Sequence, residues 1–182
     1  EIVEKLEEPL AIVIDLSSRL KQIKDISQLT VARVTEKDGK IEITKIGGEY
    51  DSKTKTFKAY SDQIGKYILL ECDNLKKINL VIDSKVATLN GTAKLNDIAP
   101  IIINGRTMVP LRFITENLGG TVKWNEETKE ITLYIEETEL KMQVGTMIEG
   151  YGIAPLIQNQ RTLVPLRYIS EAIGANVTWI PS

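Results

Sequence analysis

The chain states one segment twice, and this repetition constrains its fold more than any other feature. Ala99–Trp124 reads APIIINGRTMVPLRFITENLGGTVKW, and 55 residues later Ala154–Trp179 reads APLIQNQRTLVPLRYISEAIGANVTW. The two match at 15 of 26 positions with no gap. The shared residues are turn formers, helix-start and helix-stop residues, and apolar positions. None is His, Cys or a usual nucleophile, so the repeat speaks of architecture before chemistry.

Each copy predicts the same small unit. Ile101–Ile103 and Arg106–Val109 flank Asn104-Gly105, and Asn-Gly between two apolar strands signals a two-residue hairpin with positive φ at both central residues. The second copy carries Asn159-Gln160 there. Gln at positive φ costs about 1 kcal/mol relative to Gly, which predicts a looser turn or one of another type. Pro110 and Pro165 suit the first position of a helix, where the missing N–H has no partner to lose. Leu111, Ile114 and Leu118, and equally Leu166, Ile169 and Ile173, fall at i, i+3, i+7 and share one face. Gly119 and Gly174 supply the left-handed stop. Thr121–Trp124 and Asn176–Trp179 read as the strands that follow. A helix of about nine residues is marginal alone, so sheet must cover it and the copies are expected to share one core.

Around the repeats, Ile78–Asp83 and Val86–Leu89 read as strands about an Asp83–Lys85 hairpin, and Asn90–Asp97 as a polar loop. Glu130–Ile135 turns Ile131, Leu133 and Ile135 inward, and Leu140, Met142 and Val144 repeat this alternation after the EETE turn. The first half reads as β. Leu10–Leu16 is an apolar run, and Gln28–Thr35 alternates. Ile41 and Ile43 share a face after the EKDGK turn, and Gly47-Gly48 interrupts. FKAY and KYILLE follow further turns, while Arg19–Ile26 reads as a turn of helix. The expected fold class is α+β. Residues 1–74 form an antiparallel, sandwich-like β domain that is open to being incomplete. Asp73–Lys77 is a polar bridge. Residues 78–182 form a two-repeat domain, with repeats about 80–136 and 139–182, of short antiparallel strands packed on two short helices.

Charge is balanced: residues 1–74 carry 12 basic and 14 acidic groups and the remainder 11 of each, so no basic stripe recommends nucleic acid or an anionic membrane. Aromatics at 5% argue against an aromatic-rich groove. Cys72 alone forms no internal disulfide and reads as a half-buried strand residue. No apolar run approaches the roughly 18 residues of a membrane helix, so membrane insertion is not expected. The chain opens on Glu1 without a signal pattern, which reads as a piece of a longer protein.

On these residues, 78–182 resembles the copper amine oxidase N-terminal domain family, the stalk domains of bacterial surface proteins. The motif NGRTxVPLRxIxExLGxxVxW is matched by Asn104-Gly105-Arg106-Thr107, Val109–Arg112, Ile114, Glu116, Leu118-Gly119, Val122 and Trp124. It is matched again by Asn159, Arg161-Thr162, Val164–Arg167, Ile169, Glu171, Gly174, Val177 and Trp179. Gln160 departs from the motif, and the chain stops at Ser182 where a further strand usually follows. Residues 28–71, closing on the Gly65–Leu69 "GxYxL" pattern, resemble β-domains of bacterial surface proteins. The resemblance implies an appendage without the catalytic domain, in an extracellular, Gram-positive bacterial protein.

Chemistry narrows the functions. With no His in the chain, copper ligation by imidazole and His-dependent nucleophilic catalysis both lack their central group. No phosphate-cradling glycine loop is present, so no cofactor is expected. Ser18-Arg19-Leu20-Lys21 matches S-x-x-K, but neither S-D-N nor K-T-G accompanies it, and we read it as coincidence. The recurring Arg106, Arg112, Arg161 and Arg167 have two readings. They form a carboxylate or phosphate clamp, or Arg112–Glu116 and Arg167–Glu171 are i,i+4 surface pairs worth about 0.3–0.5 kcal/mol each; we favour the second. Glu126-Glu127 with Glu130, and Glu136-Glu137 with Glu139, lack the spacing of a calcium loop. Trp124 and Trp179 cover a core edge or stack on sugar. The expectation is a non-catalytic spacer that links other domains of its parent chain, with binding of cell-wall or plant polysaccharide through the two tryptophans as the alternative.

Overall fold

The computed structural model describes residues 5–180, and the side chain of Lys5 is outside the description. It divides into two compact units, one of Glu1–Leu75 with Asn176–Ser182 and one of Lys76–Ala175.

The first unit is built on two three-stranded antiparallel sheets. β1 (Lys5–Asp15) and β4 (Glu49–Asp51) flank β5 (Thr56–Gln63), while β3 (Lys40–Gly47) and β6 (Lys66–Glu71) flank β2 (Leu29–Lys37). Leu16, Leu29, Val31, Phe57 and Ala59 form their common core. The simple alternation read along β2 does not hold at its start, because Leu29, Thr30, Val31 and Ala32 are all buried. On β3 residues 40–43 are all exposed, Ile41 and Ile43 included, so the apolar face shared by these two is not covered. Arg19–Ile26 holds one short 3₁₀ turn at Leu20–Gln22, and a second follows at Ile26–Gln28, capped by the Asp25 carboxylate.

In the second unit β7 (Ile78–Leu80), β8 (Val86–Leu89) and β9 (Thr92–Leu95) form one sheet. The expected polar loop over 90–97 is therefore largely a hairpin. Its turn is a further Asn-Gly, Asn90-Gly91, at positive φ, the signal already used for Asn104-Gly105. β10 (Ile101–Ile103) and β11 (Arg106–Pro110) lead into α1 (Leu111–Asn117), followed by β12 (Thr121–Trp124), β13 (Glu130–Ile135) and β14 (Thr138–Gln143). β15 (Leu156–Gln158) and β16 (Arg161–Pro165) lead into α2 (Leu166–Ala172).

The four hairpin strands join in the order β10-β11-β16-β15, with Val109 opposite Val164. Positions one repeat length apart thus face each other across the central pair. One face of this sheet carries Val109 and Val164 into a core with Leu111, Ile114, Ile169, Ile131, Leu133 and Ile135. The other carries Met108 and Leu163 into a smaller cluster with Ile98 and Ile153. Period-two alternation over five residues thus supplies two layers.

Both helices span seven residues, shorter than the nine expected, and Pro110 and Pro165 stand at the N-cap instead of the first helical position. They are still the last residues of β11 and β16, with extended ψ of 111° and 122°, so the backbone turns only after them. Each helix ends in a Schellman arrangement. Gly119 N–H reaches Glu116 O and Gly120 N–H reaches Thr115 O at 2.8 Å; Gly174 and Ala175 do the same on Glu171 and Ser170.

Asn176–Trp179 is not a strand. Its counterpart β12 exists because β13 pairs with it through Thr121–Tyr134 to Trp124–Ile131. No such partner pairs with 176–179, and Thr178 instead donates to the carbonyl of Ile46 at 3.1 Å within the first unit.

Candidate functional site

The second unit holds an open groove of about 550 Å³ beside α1. Pro110, Leu111, Val122, Ile131 and Ile157 give it an apolar floor, and Arg112, Glu116, Trp124 and Arg161 stand around it. Residues singled out from sequence, among them Arg112, Glu116, Trp124, Glu126 and Arg161, are thus brought to one place by the crossing of α1, β12 and the β15–β16 hairpin. Trp124 is 40% exposed. Its indole Nε1 donates to Glu126 Oε2 at 2.5 Å, and Lys129 stands 5.7 Å over the ring while bonding Glu126 Oε1 at 2.7 Å. The Lys129 bond, and then the indole bond, hold the Glu126 carboxyl below its ordinary pKa.

The repeated arginines do not act alike. Arg112 Nε and Arg167 Nε each stand 3.9 Å from the carboxylate one turn on, Glu116 and Glu171, with all four side chains largely in solvent. Such pairs contribute little to stability. Arg161 forms a 2.7 Å ion pair with Asp97, whereas Arg106 donates to the carbonyl of Tyr151 at 3.2 Å. A four-arginine clamp does not form, because the hairpins aim Arg106 and Arg161 at different partners.

Asn104-Gly105 takes φ of 50° and 70°, and Asn159-Gln160 takes 49° and 60°. The registers Ile103–Arg106 and Gln158–Arg161 close both as two-residue loops. The second turn therefore keeps the conformation of the first: the sheet on either side imposes it, and Gln160 carries the strain. Trp179 lies outside the groove, 56% exposed, in the stretch without strand pairing. Ser18 and Lys21 sit in an exposed turn and a 3₁₀ helix of the first unit. Among the described residues no group of three or more His, Cys, Asp or Glu gathers, so neither acidic cluster makes a cage there.

Asn96, Asp97, Phe113 and Lys129 also line the groove and were not singled out from sequence. They are ordinary polar and apolar residues whose proximity follows from packing between elements far apart in the chain. Tyr151 was also passed over. Its signal was its place in the stretch that separates the copies and has no counterpart before the first.

The model of the copper amine oxidase N-terminal domain family matches residues 32–133 and 145–182. The chain belongs to this family. The match reaches upstream of Ile78 into β2, so the family unit takes in strands that sequence motifs alone did not connect with it. A curated relative of this family member, named "Protease inhibitor", from Brevibacillus choshinensis, is 35% identical over 77 residues. That alignment covers 38% of this chain and 24% of the relative, so the chain spans well under two thirds of the relative's length. No solved structure matches the chain at a significant level. The family name evokes copper, but the donor set of this member does not fit the ion. It has no His, and its one Cys, Cys72, is half-buried and gathers no further ligands among the described residues. No helix among the described residues is long and apolar enough to cross a membrane.

Proposed function

We propose that this chain is a non-catalytic module that spaces or presents neighbouring domains of an extracellular bacterial protein, from a Gram-positive source. The observation that carries the reading is the family match over 140 residues, a family named for an N-terminal domain and not for a catalytic one. In this reading residues 1–74 and 78–182 act as a β module and a stalk module, and 80–136 with 139–182 are two copies of one building unit. The absence of His from the sequence supports it, because most acyl-transfer and copper chemistry is thereby out of reach.

Polysaccharide binding is the second reading, favoured by the exposure of Trp124 at 40% and Trp179 at 56%, which leaves ring surface free for a sugar. One experiment separates the two. The chain is mixed with insoluble cell-wall and plant polysaccharide and spun down. The spacer reading expects it in the supernatant. Retention that is lost in Trp124→Ala or Trp179→Ala, with the fold intact by circular dichroism, would overturn that reading in favour of the glycan one. The relative's name suggests a third reading, binding to a protease. Stoichiometric inhibition of secreted serine or metalloproteases would replace the spacer reading by this one.

A further inference from the structure

The pairing of Val109 with Val164 sets two grooves with matching helix and hairpin walls on the second unit, and the chain lays its Tyr151 connection over only one. The covered groove lies between α2 and the β10–β11 hairpin. Its occupant is the connection from β14 to β15, residues 144–155, which carries Tyr151. The Tyr151 hydroxyl donates to Glu171 Oε2 at 2.5 Å, and its ring meets Tyr168 edge-on at 5.1 Å and 74°. Its carbonyl accepts from Arg106 Nε at 3.2 Å.

One repeat length away the same receptor recurs between α1 and the β15–β16 hairpin. Glu116 stands for Glu171, Phe113 for Tyr168 and Arg161 for Arg106. Here the corresponding connection is only residues 96–100; its Asn96 and Asp97 line the groove, Asp97 pairing with Arg161, and the groove stays open at about 550 Å³.

We propose that this open groove docks a tyrosine-bearing turn of a protein partner, held as Tyr151 is held on the other copy. The phenol donates to Glu116 and the ring lies edge-on to Phe113, with Trp124 forming the outer wall. Arg161 Nε is already engaged by Asp97, so the match with the Tyr151 site lies in the phenol and ring contacts and not in the backbone carbonyl.

Charge selects the same occupant. The rim mixes Arg112, Lys129 and Arg161 with Asp97, Glu116 and Glu126. An anion meets the carboxylates and a cation meets the guanidinium groups. A neutral donor satisfies Glu116 while leaving its 3.9 Å contact with Arg112 in place, just as Tyr151 leaves Arg167–Glu171 in place. The inference goes beyond the spacer reading and does not rest on it.

The test uses a synthetic peptide of residues 145–155, GTMIEGYGIAP, added to the whole chain and followed by Trp fluorescence and amide chemical shifts. A flexible peptide pays for its ordering, so a dissociation constant of about 0.1–1 mM is expected, with shifts on Phe113, Glu116 and Trp124. A peptide carrying Tyr151→Ala, or a protein carrying Glu116→Ala, should bind about tenfold more weakly. No saturation by about 5 mM, shifts confined to other surfaces, or equal affinity of the alanine peptide would overturn the proposal. So would a concentration-dependent dimer that protects Glu116 and Phe113, or displacement of the peptide's footprint by an oligosaccharide of higher affinity.

Discussion

Gly120 and Ala175 occupy the same place after the two helices, with the same 2.8 Å backbone bond to Thr115 or Ser170, yet only one can tolerate a side chain. A Cβ at Gly120 would lie 2.5 Å from Ile135 Cγ1, 2.9 Å from Thr115 Cγ2 and closer still to the Tyr134 carbonyl oxygen. Ordinary Cβ contacts begin at 3.4 Å, so the shortfall against Tyr134 is about 1 Å. Tyr134 cannot yield, since it is paired on one side with Thr121 and on the other with Glu139 in the middle of its sheet. Ile135 and Thr115 are themselves buried.

Overpacking of this kind costs about 1–3 kcal/mol, at the upper end where the obstacle is backbone. Gly120 does not use positive φ, so Ala brings a compensating gain of about 0.4–1 kcal/mol by stiffening the unfolded chain. The net expectation for Gly120→Ala is a loss of about 2 kcal/mol. At about 4–8 °C per kcal/mol for a unit of this size, that lowers Tm by about 8–16 °C. Guanidinium and thermal unfolding followed by circular dichroism would measure it. The reciprocal change Ala175→Gly, at an exposed site, should cost only about 0.4–1 kcal/mol. A Gly120→Ala protein within about 0.5 kcal/mol of the parent would refute the close approach of β13 to the end of α1.

The strained turn at Asn159-Gln160 predicts that Gln160→Gly stabilises the chain by about 1 kcal/mol, read as a higher unfolding midpoint with an unchanged denaturant slope. The bond to Glu171, with partial desolvation, raises the pKa of the Tyr151 phenol above its ordinary value. A group with a raised folded-state pKa contributes its stability fully below the unfolded value of about 10, and loses it as pH rises through the folded one. Burial raises the Tyr168 phenol as well, so phenolate absorption should show two late-titrating tyrosines, one of which disappears in Tyr151→Phe, with the 144–155 connection releasing at the alkaline step of Tyr151 by amide exchange.

The local grammar of this chain was legible in its sequence wherever a residue's own conformational demand decides the outcome. The Asn104-Gly105 turn, the prolines at the strand-to-helix step, the glycine stops and the inward sets Ile131, Leu133, Ile135 and Leu111, Ile114 all follow from φ preferences and periodicity, whereas the Asn90-Gly91 turn lay within an expected polar loop. They hold whatever lies across the core. Gln160 marks the limit of that grammar: its own preference pointed away from the turn it adopts, and the flanking pairs of β15 and β16 overrode it. The same holds for Asn176–Trp179, whose pattern copies β12 but whose state depends on a partner strand that no local pattern can guarantee. Tertiary structure also decided which repeated arginine meets which acceptor, and why position 120 must be Gly while 175 need not be. It decided, too, that the Tyr151 connection covers one of two grooves whose helix and hairpin walls match. A sequence repeat fixes like units, but pairing between distant strands fixes what each unit touches, and the candidate site is made of those differences.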